Sequence, residues 1–244
     1  MMNMIQACGV VAKNRTEDSL LVATMGAMFI FDFIEGESGQ AKYVPMLGGK
    51  VGLLAGVVAG KLATKISKAF ASETDALPAI SPRINSVPLM GGAAGLGLGL
   101  ALSQPTKKVV VVDGDASLLM ELSGLVTVAR QQPHNFLHIV IHNGTQFTGL
   151  ANTVSPAPEF NFAEAARIAG YSHTETISDA DVWARRLPAL MAMSGPVFVQ
   201  LMVEPVPQQT KPGFAQQELP SNQFDRMGKE ATALQSWFQA KDLI

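Results

Sequence analysis

The stretch Lys108-Val-Val-Val-Val-Asp113-Gly-Asp-Ala-Ser117 decides the fold of this 244-residue chain. Its four consecutive valines, without polar alternation, are typical of a strand buried on both faces of a parallel sheet. Apolar residues then recur at helical spacing from Leu118 to Arg130. A second apolar run, Phe136 to His142, ends at Asn143. The pattern predicts a strand, a helix and a second strand in succession, as in an α/β domain.

Strand-like and helix-like segments alternate along the rest of the chain. Strands are predicted at 19–24 and 196–203 and from His173 onward, and helices at 162–169, 179–193 and about 223–241. This alternation predicts a doubly wound parallel sheet with helices on both faces. Such sheets bind ligands beyond the carboxyl ends of their strands.

Two regions differ from the rest in composition. Residues 43–86 are rich in Gly, Ala and Lys and include a proline-studded stretch near their end. After Glu204 the chain becomes polar and carries several prolines before its last predicted helix. We therefore expect one main domain over 1–204 and a C-terminal tail with a helix over 205–244.

The composition excludes several classes of protein. Apolar residues make up 48% of the chain and the net charge is −2, which fits a folded domain and argues against nucleic-acid partners. The single cysteine, Cys8, allows no internal disulfide and no cysteine-ligated cluster. Residues 1–15 lack the charged start of a signal peptide. The apolar segments 51–60 and 87–102 are shorter than the roughly 20 residues of a membrane-spanning helix, so a cytoplasmic location is expected.

Asp115 and Asn143 place two oxygen ligands at the ends of neighbouring predicted strands. The backbone carbonyl of Thr145 can supply a third oxygen, and Mg²⁺ takes about six oxygens in all. Ala116 and Ser117 are small residues at the predicted start of a helix, where N–H groups point toward an anion. Each turn alone is common at protein surfaces. Their joint setting of buried strand, acidic turn, helix, buried strand and Asn indicates a site for a metal ion and a diphosphate.

The same motif carries a family resemblance. Gly114-Asp115-Ala116 followed by Asn143 resembles the Gly-Asp-Gly and Asn motif of thiamine diphosphate enzymes. The segment Leu89-Met-Gly-Gly-Ala-Ala-Gly-Leu-Gly-Leu-Gly-Leu-Ala-Leu-Ser-Gln-Pro105 resembles the one that precedes this motif in sulfopyruvate and phosphonopyruvate decarboxylases. The similarity is greatest to the β subunit of the two-chain members, which is their diphosphate-binding half. It covers residues 87–203, with a weaker match at 20–26.

The resemblance implies a role for each matching residue. Asp115 and Asn143 would bind Mg²⁺ through their side chains and Thr145 through its carbonyl, and Met90 would hold thiamine diphosphate in a bent shape. The residues lining the diphosphate would be Gly114, Ala116 and Ser117. The glutamate that activates the cofactor is implied to lie on a partner, the pyrimidine-binding (α) subunit. A hetero-oligomer is therefore expected, with no catalytic residue in this chain.

The chain departs from the family pattern in three places. Ala116 stands where the motif has glycine, and its methyl group would crowd the turn if the backbone there needed a positive φ. The loop 143–152 lacks the longer run of small residues found in the related decarboxylases. Residues 43–86 are an insertion relative to their short β subunits. Because of these departures, the resemblance supports the identity of the cofactor better than the identity of the substrate.

The resemblance favours a decarboxylase that acts on a 2-oxo acid. A carboligase similar to acetolactate synthase is the main competitor, because both reactions share their first steps. A non-catalytic homologue with a regulatory role is a third possibility. A dinucleotide-binding domain is disfavoured, because the glycines over 91–99 are predicted to precede a strand rather than to open a helix. His142 adjoins Asn143, but a structural role is favoured for it.

Overall fold

The computed structural model of the chain describes residues 1–34, 83–87, 89–147, 152–205 and 220–241. In chain order its elements are α1 (Met4–Asn14), β1 (Leu20–Thr24), α2 (Met25–Ile34), β2 (Arg83–Val87), α3 (Gly92–Ser103), β3 (Val109–Gly114), α4 (Asp115–Met120), α5 (Gly124–Gln131), β4 (Phe136–His142), β5 (Thr145–Phe147), β6 (Asn152–Val154), α6 (Phe162–Ala169), β7 (His173–Ile177), α7 (Ala180–Ala192), β8 (Val197–Met202) and α8 (Pro220–Ala240).

Six parallel strands form the central sheet in the order β2-β1-β3-β4-β8-β7, and β5 pairs with β6 in a separate antiparallel hairpin. The predicted α/β sheet with helices on both faces is confirmed. The valines at 109–112 are fully buried, as expected for a strand covered on both sides. From β1 the chain passes to β2 on one side and then to β3 on the other. Open α/β sheets bind ligands at such a reversal of strand order.

Each face of the sheet carries its own hydrophobic core. Helices α1, α2 and α7 cover one face, where the Trp183 indole is fully buried and donates to the carbonyl of Ala7 over 3.0 Å. Helices α3, α5, α6 and α8 cover the other face. Leu234 and Phe238 of α8 belong to this second core, and the helix packs beside β2. The last predicted helix therefore shares a core with the sheet.

Most predicted elements agree with the structure. Strand β4 and helix α6 have the predicted bounds, and β1, β3, β8, α7 and α8 agree within three residues at each end. The helix predicted from Leu118 to Arg130 is instead two helices, α4 and α5. The chain turns between them, where the Glu121 N–H donates to the Leu118 carbonyl and the Gly124 N–H donates to the Glu121 carbonyl. Both helices still pack on the second core, so the apolar spacing runs through the turn.

Strand β2 was not predicted. Its residues 83–86 lie within the segment 43–86 that was predicted to be an insertion, yet they extend the sheet beyond β1. Residues 43–82 lie outside the described residues. The insertion over that range and the domain boundary after residue 204 stay predictions.

The glycine-rich run at 91–99 follows β2 and forms most of α3, so the prediction that it precedes a strand rather than following one and opening a helix is wrong. The dinucleotide fingerprint is still absent, because Gly95, Gly97 and Gly99 lie within the helix rather than in the strand-to-helix turn. None of the described helices, α3 included, is long and apolar enough to cross a membrane.

Candidate functional site

Three of the predicted site residues follow the carboxyl ends of parallel strands. Met90 follows β2, Asp115 follows β3 and Asn143 follows β4. Since these strands run in the same direction, the three segments meet at one edge of the sheet. The residues predicted to bind a metal and a diphosphate therefore share the edge at which α/β sheets take their ligands.

Asp115 is the first residue of α4, and its carboxylate is buried, with 2% of the residue exposed. The Gly144 N–H donates to Asp115 Oδ2 over 2.9 Å, which joins the end of β3 to the end of β4. Burial raises the pKa of the Asp115 carboxyl above its usual range, and the neighbouring His142 ring and backbone N–H groups offset part of that shift. A buried carboxylate is favourable for binding a cation, whose charge offsets the cost of burying the ionised group.

The segment after β4 turns sharply beside Asp115. Asn143 Oδ1 accepts hydrogen bonds from the backbone N–H and the hydroxyl of Thr145, each over 2.8 Å. Gly144 between them has a φ of +66°, a conformation that favours glycine. A metal bound by Asn143 Oδ1 would replace these two hydrogen bonds. The donor set of carboxylate, amide and carbonyl oxygens fits Mg²⁺.

Ala116 does not strain the turn. Gln132 is the one non-glycine residue with positive φ in the described parts of the chain, so the backbone of Ala116 needs no glycine. Its methyl group is buried in the first turn of α4. The condition under which this alanine would crowd the site is therefore not met.

Ser117 links α4 to the segment that carries Met90. Its Oγ accepts a hydrogen bond from the backbone N–H of Gly91 over 2.8 Å. Gly91 has a φ of +90°, and a Cβ there would lie 2.6 Å from Glu121 Cβ. The close approach of Gly91 to α4 thus sets the position of the partly exposed Met90.

Replacing Gly91 with Ala is expected to lower the free energy of unfolding by about 2 kcal/mol, because the methyl group adds a steric overlap to a left-handed backbone. Thermal unfolding should show the melting temperature falling by roughly 4 to 8 °C for a chain of this size. The control is Gly124→Ala, whose Cβ would make only ordinary contacts at 3.7 and 3.9 Å. Equal melting temperatures for the two variants would contradict this account of Gly91.

His142 and Gln200 form a buried polar group behind Asp115. His142 Nε2 lies 2.8 Å from the carbonyl oxygen of Pro158 and 3.8 Å from Asp115 Oδ2. Its Nδ1 lies 2.7 Å from Gln200 Nε2. Gln200 was not among the site residues predicted from the sequence. Its one signal was a single amide in the otherwise apolar strand β8, since buried polar groups have hydrogen-bond partners.

A second buried polar group lies deeper on the same face. His138 Nδ1 lies 3.2 Å from the hydroxyl of Tyr171, and His138 Nε2 lies 3.9 Å from Asp113 Oδ2. Those last two atoms have no hydrogen-bond partner among the described residues. Asp113 Oδ1 accepts from the Gly114 N–H over 2.8 Å, and burial, with the Asp113 charge, raises the pKa of Tyr171. This group of buried side chains packs beside the end of β3.

Within the described residues, no three His, Cys, Asp or Glu side chains cluster in a way that could hold a metal. A zinc site of the usual His and Cys type is therefore not found in this part of the chain. A magnesium site needs no such cluster, because amide and backbone carbonyl oxygens complete its ligands.

Comparison with known proteins identifies the family of the residues that form this edge of the sheet. The family model described as thiamine pyrophosphate enzyme, C-terminal TPP binding domain, matches residues 78–201, which is half of the chain. The chain belongs to this family. The match includes β3, β4 and every predicted site residue. The resemblance stated from the motif is thus confirmed.

The relatives of this chain include decarboxylases. The phosphonopyruvate decarboxylase of Streptomyces viridochromogenes is 40% identical over 117 residues, which cover 48% of this chain and 29% of that protein. The sulfopyruvate decarboxylase subunit beta of Methanothermobacter thermautotrophicus is 37% identical over 116 residues, which cover 48% of this chain and 59% of that protein. The chain thus spans less than two thirds of the length of either relative.

A solved structure shares the fold. The thiamine diphosphate-dependent 4-hydroxybenzoylformate decarboxylase of Rhodococcus jostii superposes with a TM-score of 0.50 and 15% identity. The superposition covers 83% of this chain and 33% of that one. At this identity the likeness concerns the α/β architecture alone.

Proposed function

We propose that this chain is the diphosphate- and Mg²⁺-binding subunit of a two-chain, thiamine diphosphate-dependent decarboxylase that acts on a 2-oxo acid. Family membership and the similarity to a sulfopyruvate decarboxylase subunit beta support the proposal. The observation that carries it is the 2.9 Å hydrogen bond from the Gly144 N–H to Asp115 Oδ2. This bond brings the segment of Asn143 beside a buried carboxylate.

The chain's own residues hold the ligand. Asp115 and Asn143 bind Mg²⁺ through their side chains and Thr145 binds it through its carbonyl oxygen. Thiamine diphosphate, when bound, supplies the electron sink for cleaving the bond between the carboxylate and the carbonyl carbon. The residues that line the diphosphate are Gly114, Ala116 and Ser117. Met90, on the segment tied to Ser117, would support the cofactor.

The partner in this proposal is a pyrimidine-binding (α) subunit in a cytoplasmic hetero-oligomer. It supplies the glutamate that activates the cofactor, and the active site forms where the two chains meet. This explains why no catalytic side chain is assigned here. Turnover of 2-oxo acids by the chain alone, at the rate reached with an added α subunit, would contradict the two-chain arrangement.

A second candidate is a non-catalytic subunit that keeps the fold. One observation favours it: Asn143 Oδ1 is already engaged by two hydrogen bonds from Thr145. In that case neither Mg²⁺ nor thiamine diphosphate would bind at this edge of the sheet.

Carboligation differs from decarboxylation only in the final acceptor, so analysis of the products with the α subunit present distinguishes these two reactions.

Calorimetry of the purified chain tests the proposal. Thiamine diphosphate is titrated with Mg²⁺ and with chelator, in the absence and presence of the α subunit, and thiamine without its diphosphate is the control ligand. Binding is expected only when Mg²⁺ and the diphosphate are both present, because the ion links the anion to Asp115. Absence of Mg²⁺-dependent binding in both arrangements would favour the non-catalytic candidate.

A further inference from the structure

We propose that Gln200 is a positioning residue that fixes His142 as an Nε2–H donor and thereby holds the loop around Pro158 against the Asp115 site. The consequence for metal and cofactor rests on the proposed function. The arrangement of hydrogen atoms does not rest on it. The two parts can therefore be tested separately.

The orientation of the Gln200 amide follows from a backbone donor. Gln200 is buried on β8, and its Oε1 accepts from the N–H of Ala163 in the first turn of α6 over 3.0 Å. A backbone N–H can only donate, so the oxygen of the amide faces α6. The NH₂ group must then face β4, where His142 Nδ1 lies 2.7 Å away.

The tautomer of His142 follows from that orientation. Gln200 Nε2 can only donate, so Nδ1 must accept, and the ring carries its hydrogen on Nε2. The other side of the ring gives the same answer independently. Nε2 lies 2.8 Å from the carbonyl oxygen of Pro158, which can only accept. The Phe162 ring packs edge-on against the imidazole at 5.3 Å and holds it in this plane.

The fixed Nε2–H connects two sides of the candidate site. From Pro158 the loop leads back to Ser155, whose N–H donates to the Gly144 carbonyl over 2.8 Å. Gly144 in turn donates its N–H to Asp115 Oδ2. Hydrogen bonds from Gln200 through His142 and this loop therefore end on the carboxylate proposed to bind the metal. Because Nε2 carries a hydrogen, His142 offers no lone pair to that metal.

The opposite tautomer would reverse these contacts. A lone pair on His142 Nε2 would face the Pro158 carbonyl oxygen and, at 3.8 Å, Asp115 Oδ2. Both atoms are electron-rich, so the loop would move away and its hold on Gly144 would weaken. Loss of groups that orient metal ligands typically lowers metal affinity about 10- to 100-fold.

The decisive variant is Gln200→Glu. Glutamate can still accept from the Ala163 N–H, but its other oxygen can only accept. It therefore favours a hydrogen on His142 Nδ1, either in the Nδ1–H tautomer or in an imidazolium, whose positive charge opposes a cation at Asp115. The matched control is Met202→Leu on the same strand, because Gln200 Nε2 also contacts Met202 Sδ at 3.3 Å. This control removes the sulfur contact and leaves the His142 hydrogen bonds intact. A swap of this kind usually costs less than about 1.5 kcal/mol of stability.

The first measurement is the two-bond ¹H–¹⁵N correlation spectrum of the four histidines in the ¹⁵N-labelled chain, with His142 assigned from the His142→Asn variant. We expect the Nε2–H tautomer in the unmodified chain and in Met202→Leu, and a hydrogen on Nδ1 in Gln200→Glu. An Nδ1–H tautomer or an imidazolium in the unmodified chain would overturn the proposal. This result decides the hydrogen arrangement even if Gln200→Glu does not fold.

The second measurement is the dissociation constant of thiamine diphosphate with Mg²⁺ present. We expect it to rise about 10- to 100-fold in Gln200→Glu and to stay within about twofold in Met202→Leu. Unchanged affinity in Gln200→Glu, with strong binding to the unmodified chain, would refute the positioning role alone. No binding to the unmodified chain, either alone or with the α subunit, would refute the proposed function, while the tautomer measurement would still decide whether Gln200 orients His142.

Discussion

Replacing Asp115 with Asn is expected to weaken Mg²⁺-dependent binding of thiamine diphosphate by more than about 100-fold. That is a larger loss than removing a group that only orients a ligand. Asparagine keeps the shape of the side chain and can still accept from the Gly144 N–H. The variant therefore removes the negative charge while the connection between the ends of β3 and β4 remains. Calorimetry with and without Mg²⁺ measures the loss.

The stability of the Asp115→Asn variant should not fall with its affinity for thiamine diphosphate. Without the metal it should stay the same or rise. Burial raises the pKa of Asp115 in the folded chain, so folded protein holds its proton more tightly than unfolded protein does. The stability contributed by this group therefore falls as the pH rises from the ordinary carboxyl pKa to the raised one. Above that window the ionised carboxylate costs stability, and asparagine removes the cost. Without Mg²⁺ the variant should melt at the same temperature as the unmodified chain or higher.

The control is Asp181→Asn, at an exposed carboxylate in the first turn of α7. It should bind thiamine diphosphate as the unmodified chain does. Mg²⁺ with thiamine diphosphate should raise the melting temperature of the unmodified chain and of Asp181→Asn, but not that of Asp115→Asn. Retained Mg²⁺-dependent binding in Asp115→Asn would show that the metal lies elsewhere.

Much of the fold could be predicted because buried parallel strands leave a local signal. The apolar run from Phe136 to His142 needs no alternation when both faces are covered, and its bounds were predicted correctly. The site followed from the same signal. Parallel strands deliver their carboxyl ends to one edge, so Asp115 and Asn143 could be placed together from strand order alone.

The network behind the site could not be predicted in the same way. Gln200 stood out only as one amide among apolar residues, and its partner His142 lies in another strand. Whether Gln200 lies within reach of His142 depends on the register between β4 and β8, where Val140 pairs with Gln200. That register cannot be derived from the sequence of either strand by itself.

Helix α3 was missed for a different reason. Glycine disfavours a helix interior by roughly 0.8 to 1 kcal/mol relative to alanine, and α3 contains Gly92, Gly95, Gly97 and Gly99. Its sequence therefore argues against a helix. Packing on the sheet accounts for the glycine at position 97, because any side chain there would overlap Val111 of β3.

Replacing Gly97 with Ala is accordingly expected to destabilise the chain although alanine favours helices. The new Cβ would lie 2.3 Å from Val111 Cγ2 and 3.2 Å from Phe136 Cε2. Both neighbours are fully buried in the sheet and have little room to move. Overpacking of this kind costs about 1 to 3 kcal/mol and occasionally more. We expect the upper end, with the melting temperature lowered by roughly 6 to 12 °C.

Gly95→Ala and Gly99→Ala on the same helix are expected to change the stability in the opposite direction. A Cβ at either position has no neighbour within 4 Å, so each change should stabilise the chain by about 0.5 to 1 kcal/mol. The double variant Gly97→Ala with Val111→Ala should be more stable than the sum of its two single changes predicts, because the smaller side chain makes room for the new methyl group. Coupling between contacting residues is typically about 0.5 to 3 kcal/mol. Stabilisation by Gly97→Ala, or strict additivity in the double variant, would mean that the contact with Val111 does not set the distance of α3 from the sheet.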